Sequence, residues 1–109
     1  MPNARWKALE AGKALAEERG VPLLLVNDPI FRADGPRSDR EYNSYYGRAI
    51  YDRYRAVLSR YCAARRIALL DLWDFLGPRE FDDTPQHYLP EANARIARAV
   101  TDRLAEMAK

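Results

Sequence analysis

The stretch VPLLLV, residues 21–26, is a continuous apolar run near the start of the chain. It is too short for a helix, and it lacks the polar alternation of a strand that has one face in water. Such runs are typical of strands covered on both faces, which occur mainly in parallel sheets. A second run, IALLDLWDFL, begins at Ile67 and ends before Gly77-Pro78. Together they predict two parallel strands in an α/β fold.

Apolar and small residues recur at helical spacing before the first predicted strand and after the second. A first helix is predicted over residues 4–19, ending at Gly20, since a glycine commonly follows the last helical turn. A last helix is predicted to begin at Pro90, a residue that suits the first helical position. The apolar face of this last helix is expected to comprise Ile96, Val100, Leu104 and Met107.

A third helix is predicted between the strands. Ser38 and Glu41 have the spacing of a capping box, which predicts that a long helix begins at Ser38. Its expected buried stripe comprises Tyr46, Ile50, Tyr54, Val57, Leu58 and Tyr61. The Tyr and Arg residues of this segment could also suit a single-stranded nucleic-acid binder, but core packing is the preferred interpretation.

The predicted order of elements is therefore αβαβα, with a right-handed crossover between parallel strands. A sheet of two apolar strands is incomplete, because parallel sheets normally contain more strands and both outer edges would be unpaired. We therefore expect residues 1–109 to form a single, incomplete α/β domain that is completed by a missing N-terminal half or by self-association.

Composition excludes several classes of function. Eighteen Lys and Arg residues against sixteen Asp and Glu give a net charge of +2, too small to predict nucleic-acid binding. Cys62 is the single cysteine, so neither an internal disulfide nor structural zinc is expected, and no cofactor or metal is predicted. Neither a signal peptide nor a membrane-spanning run is recognised, which leaves the compartment open and the cytoplasm as the default expectation.

Four strings follow one another along the chain: LLLVNDPIF, SDREYNSYYGRAIYDRYR, ALLDLWDFL and FDDTPQHYLPEANARIA. In type and order they resemble the C-terminal part of SGNH/GDSL-type hydrolases, over nearly the whole chain from Trp6 to Leu104. The resemblance implies part of a flavodoxin-like three-layer α/β/α fold. It also implies a parent enzyme that hydrolyses or transfers an ester-linked acyl group on a small molecule or a glycan.

The last string carries the residues to which the resemblance assigns catalysis. His87, the single histidine, and Asp83 match the family's His and Asp before the final helix, although the spacing D-x-x-x-H is one residue longer than the commonest form. A serine hydrolase needs an imidazole to take the proton of its nucleophile and a carboxylate to orient that imidazole. We therefore expect His87 and Asp83 to be the catalytic pair.

The nucleophile and the oxyanion donors of the family are missing. No G-D-S string occurs, and Ser38, Ser44 and Ser59 are expected in a cap and a helix rather than at a nucleophile turn. Asn27-Asp28 is similar to the family's G-x-N-D block, but Leu25 replaces its glycine, so an oxyanion role for Asn27 is the weaker interpretation. The chain alone is expected to be inactive. The alternative is a small non-catalytic interaction module that oligomerises through its sheet edge.

Overall fold

A computed structural model describes residues 6–82 and 87–109 of the chain. Three α-helices and two parallel strands follow one another in the order αβαβα, as the sequence predicts. A short 3₁₀ helix, Pro78–Glu80, precedes the last α-helix. The elements are α1 Lys7–Arg19, β1 Leu24–Asn27, α2 Arg48–Ala64, β2 Ala68–Asp71 and α3 Pro90–Met107. Within the described ranges, no helix has both the length and the apolar character needed to cross a bilayer.

The sheet consists of β1 and β2 in parallel register. Leu24 pairs with Ala68, and Asn27 pairs with Asp71 at the carboxyl ends of the strands. Every residue of both strands is only half-buried. The prediction of strands covered on both faces is therefore not met by this chain, because its helices bury the sheet incompletely.

The end of α1 follows the local rule that predicted it. Gly20 adopts a left-handed backbone conformation with φ of 66°. The N–H groups of Gly20 and Val21 donate to the carbonyl oxygens of Glu17 and Ala16, at 3.2 and 2.9 Å. This is the paired hydrogen-bond pattern by which a glycine satisfies the last carbonyl groups of a helix. The predicted end of the first helix is confirmed.

The start of α2 differs from the prediction. The helix begins at Arg48, and Ser38 lies in a series of turns that precede it. In this loop the side-chain oxygen of Asn43 accepts hydrogen bonds from the N–H groups of Tyr45 and Tyr46, at 2.8 and 3.1 Å. An Asn side chain that satisfies nearby backbone groups stabilises a turn at the expense of a helix. The prediction that Ser38 begins the helix is therefore wrong.

The later start changes the face of α2 that is buried. The buried residues are Tyr51, Leu58 and Cys62, whereas Ile50 is 79% exposed. Tyr46 lies before the helix and is 44% exposed. The expected stripe is thus right for Leu58 and wrong for Ile50 and Tyr46.

The last helix begins at Pro90, as predicted, but its apolar face is buried only near its start. Ala92 is buried in a cluster with Leu76 and Phe81, and Ile96 packs against that cluster. Three turns beyond Ala92, Leu104 is 41% exposed. The second half of this face is therefore partly uncovered.

The molecule is more open than a complete domain of its size. Its radius of gyration is 15.7 Å, whereas a compact chain of this length has about 13 Å. Its accessible surface is 7863 Å², against about 6,200 Å² for a folded monomer of this mass. The difference of roughly 1,700 Å² is comparable with one side of a large permanent interface.

Replacing Leu58 by Ala should lower the free energy of unfolding by about 2 to 5 kcal/mol, because Leu58 is 3% exposed and packs against Cys62 and Ile67. Ile50→Ala, eight positions earlier on the same helix, is the matched control and should change it by less than about 0.5 kcal/mol. Urea denaturation of both variants measures the difference. Equal losses would show that the buried face of α2 is assigned incorrectly.

Candidate functional site

The carboxyl ends of the two strands are joined by a side-chain hydrogen bond. The amide nitrogen of Asn27 donates to Asp71 Oδ1 at 3.0 Å and to the hydroxyl oxygen of Tyr51 at 3.2 Å. Asp71 Oδ1 also accepts the backbone N–H of Trp73 at 3.2 Å. Both amide hydrogens of Asn27 are therefore engaged, so this geometry does not support an oxyanion role for Asn27. Through its bond to the N–H of Trp73, Asp71 caps the loop that follows β2.

Arg55 provides the positive charge beside this network. Its guanidinium lies 3.9 Å from the ring centroid of Trp73, and its Nε lies 3.5 Å from Asp71 Oδ2. The Nε atom makes no hydrogen bond within the described part of the chain, so the contact with Asp71 is a charge pair only. Arg55 and Trp73 thus hold α2 against the loop that follows β2.

A cleft of about 400 Å³ opens at this edge of the sheet. Its volume falls within the usual range of ligand sites, about 300 to 1,000 Å³. Burial raises the pKa of Tyr51 to about 12, against the lowering effect of the bond from Asn27. The phenol therefore stays protonated and can donate. The polar side chains that line the cleft include those of Asn27, Asp28, Tyr45, Tyr46, Tyr51 and Tyr88.

His87 is the sequence neighbour of Tyr88, which lines this cleft. Phe81 and Tyr88 form an antiparallel bridge, and the backbone N–H of Asp82 donates to the carbonyl oxygen of His87 at 2.8 Å. The hydroxyl of Tyr88 donates to the carbonyl oxygen of Pro29, at 3.0 Å, in the loop after β1. His87 is exposed, and it immediately precedes a residue that lines the cleft. Asp83 lies outside the described residues.

The chain's other candidate nucleophiles are not activated in the described structure. Ser44 is exposed in the loop before α2 rather than in a helix, and Ser59 is exposed on α2. Cys62 is buried, and burial raises the pKa of its thiol, which disfavours the reactive thiolate. Across residues 6–82 and 87–109, no three His, Cys, Asp or Glu side chains are grouped so that they could hold a metal ion.

Several residues of the cleft were not singled out from the sequence. The predicted buried stripe of α2 omits Tyr51, and the predicted catalytic pair does not include Tyr88, the neighbour of His87. The string Asn-Ser-Tyr-Tyr-Gly, residues 43–47, contains an Asn and a glycine of the kind that mark turns, and this signal favours a later start of the helix. The later start would then have turned Tyr51 toward the sheet edge. No local signal indicates the bond between Asn27 and Asp71, which depends on strand register.

Comparison of the chain with protein-family models, with curated proteins and with solved structures finds no match. The class of protein defined by the fold is thus an α/β protein with two parallel strands in the order αβαβα.

The stability of the protein should fall as the pH rises from about 10 to about 12. An unfolded tyrosine releases its proton near pH 10, whereas folded Tyr51 holds its proton to about 12. The stabilisation from the buried phenol is therefore fully present below pH 10 and is lost toward pH 12. A single group contributes at most about 1.4 kcal/mol per pH unit to this slope.

Tyr51→Phe removes this titration, so its free energy of unfolding should change less steeply with pH in the same window. Urea denaturation at intervals between pH 7 and 11.5 measures both slopes. Between pH 7 and 9, where Tyr51 is protonated in both states, the two proteins should differ only by a constant offset. Parallel curves above pH 10 would contradict the role assigned to the buried hydroxyl.

Proposed function

We propose that this chain is the C-terminal portion of an SGNH/GDSL-like serine esterase or acyl hydrolase, with His87 as general base and Asp83 as its orienting carboxylate. The observation that carries the proposal is the link between the His87 segment and the sheet edge. Tyr88 both lines the cleft and donates to Pro29, one residue after Asp28 and two after the end of β1. Ligand sites of parallel α/β folds form at this edge.

The proposed parent fold is a flavodoxin-like three-layer α/β/α sheet, of which this chain contributes two strands. Half-buried strands and the excess of accessible surface support it, since further strands and helices would cover the exposed faces. The order αβαβα and the parallel pairing are those expected of the back part of such a domain.

In the proposed reaction, a serine hydroxyl from the missing portion attacks the carbonyl carbon of the ester. The imidazole of His87 accepts the hydroxyl proton and later returns it to the leaving alcohol. Asp83 fixes the tautomer of the ring and stabilises the imidazolium. Water then hydrolyses the acyl-enzyme by the same route. The oxyanion donors belong, in this proposal, to the missing portion, because Asn27 has committed both of its amide hydrogens.

A non-catalytic module that associates with a second chain is the alternative function. The uncovered surface favours it as much as it favours a missing half, because either partner would bury the strand edges. Sedimentation analysis distinguishes the two. A stable homodimer that is unaffected by His87→Ala would favour the module, whereas aggregation or weak self-association is expected of an incomplete hydrolase.

The bond between His87 and Asp83 can be tested directly, because the chain contains a single histidine. A ring N–H held by a carboxylate exchanges slowly and should give a downfield proton resonance in solution NMR. Asp83→Asn should weaken or abolish this signal, since a neutral amide is a poorer acceptor than a carboxylate. Asp82→Asn, at the adjacent position, is the matched control and should preserve it. A downfield resonance that Asp83→Asn leaves unchanged would refute the proposed pair of His87 and Asp83.

The purified chain should show little or no turnover of simple aryl esters. Loss of a single oxyanion donor already lowers the rate of a hydrolase by about 10² to 10³, and the nucleophile is missing as well. Hydrolysis of a nitrophenyl acetate by wild type and by His87→Ala should therefore be equally close to background. Robust activity that His87→Ala abolishes would instead make one of the chain's own serines the nucleophile.

A further inference from the structure

The floor of the cleft presents one donor and one acceptor side by side. The hydroxyl oxygen of Tyr51 accepts a hydrogen bond from Asn27, and its own proton has no acceptor within the described residues. Asn27 uses both amide hydrogens on Tyr51 and Asp71, which turns its carbonyl oxygen away from these two partners. Tyr51 is 5% exposed, so water has little access to its hydroxyl group. A ligand atom that accepts the hydroxyl proton would therefore satisfy a donor that is otherwise poorly solvated.

Further hydrogen-bonding groups surround this floor. Asp28, Tyr46 and Tyr88 line the same cleft, and the hydroxyl of Tyr88 donates to the carbonyl oxygen of Pro29. The ring centroids of Tyr46 and Tyr51 lie 5.0 Å apart. These tyrosines thus line one cleft, with the exposed carboxylate of Asp28 beside them.

The charge of the cleft disfavours anionic ligands. The described residues that line it include no Lys, Arg or His, and Asp28 is the charged residue among them. A phosphate or a carboxylate would meet a like charge, and Arg55, the cation beside the floor, is already paired with Asp71 and does not line the cleft. The ligand is therefore neutral or positively charged.

The orientation of the tyrosine rings disfavours an aromatic cage for an organic cation. Such a cage needs open ring faces. The ring of Tyr51 is packed among Tyr42, Tyr46 and Tyr54, with centroid distances of 5.8, 5.0 and 5.7 Å. The ring of Tyr88 packs on Phe81 at 5.3 Å. Tyr45, 63% exposed at the rim, is the ring with the most open surface.

We propose that the cleft binds a neutral sugar ring, with Tyr51 donating to a sugar oxygen, Asn27 and Asp28 accepting from sugar hydroxyl groups, and Tyr45 covering one face of the ring. A ring bearing several hydroxyl groups matches this mixture of donors, acceptors and one open aromatic surface. Resting on the proposed function, this makes the acyl group of the parent reaction an ester on a sugar hydroxyl. Binding itself needs neither the nucleophile nor the His87–Asp83 pair.

Binding is tested with the full chain and defined probes: the neutral disaccharides cellobiose, maltose and N,N′-diacetylchitobiose, the anion glucose 6-phosphate, and the cation choline. Amide NMR shifts, followed during titration, report both affinity and location. At least one neutral disaccharide should bind with a dissociation constant on the order of 1 mM, shifting the amide resonances of Asn27, Asp28, Ile30 and residues 43–46. Glucose 6-phosphate and choline should bind at least about tenfold more weakly.

Tyr51→Phe should weaken binding of the sugar about tenfold, because one hydrogen bond is lost while the ring is kept. Tyr61→Phe is the matched control, since the Tyr61 hydroxyl bonds to Glu10 away from the cleft, and it should bind as wild type does. Preferred binding of choline or of the phosphorylated sugar would overturn the proposal. So would equal affinities of the Tyr51 and Tyr61 variants, or the failure of all three disaccharides at 50-fold above the expected constant. The NMR test of His87 and Asp83 is independent of each of these outcomes.

Discussion

The hydrogen bond from Asn27 to Asp71 is the interaction on which the rest of the site depends. It joins the last residues of the two strands, so it forms only in the register that places Leu24 opposite Ala68. The same amide group holds the hydroxyl of Tyr51, which brings α2 to the sheet edge. Because an amide nitrogen has two hydrogens, satisfying both neighbours leaves the carbonyl oxygen as the group that Asn27 can offer to a ligand.

The second constraint is the small number of strands. In the described part of the chain the sheet has two strands, so each has one unpaired edge, and the helices leave both strands half-exposed. The hydrogen bond between Asn27 and Asp71 keeps the two strands in register although the helices bury them incompletely. A partner that adds strands or helices would bury apolar surface without disturbing the bonds of Asn27, since these lie within the strand pair and α2.

The sequence predicts those features that depend on a few neighbouring residues. Gly20 ends α1 and Pro90 begins α3 as expected, because a left-handed glycine and a proline with fixed φ act locally. The predicted start of α2 is wrong because two local signals compete: the spacing of Ser38 and Glu41 favours a helix, whereas Asn43 stabilises a turn. The structure resolves this in favour of Asn43, which also bonds the carbonyl oxygen of Phe31. That long-range bond is invisible in a local pattern.

The same reasoning separates the two parts of the site. His87 could be selected from the sequence because it is the single histidine, but the cleft beside it could not, because Asn27, Tyr51 and Tyr88 belong to three segments that meet only in the fold. One tertiary bond, from Tyr88 to Pro29, ties the His87 segment to the loop that follows β1. A shift of the loop that follows β1 would therefore change the position of Tyr88 and, with it, the position of His87. The cleft and His87, the proposed base, are thus linked by one shared contact, even though the proposed sugar binding and the proposed proton transfer are separate processes.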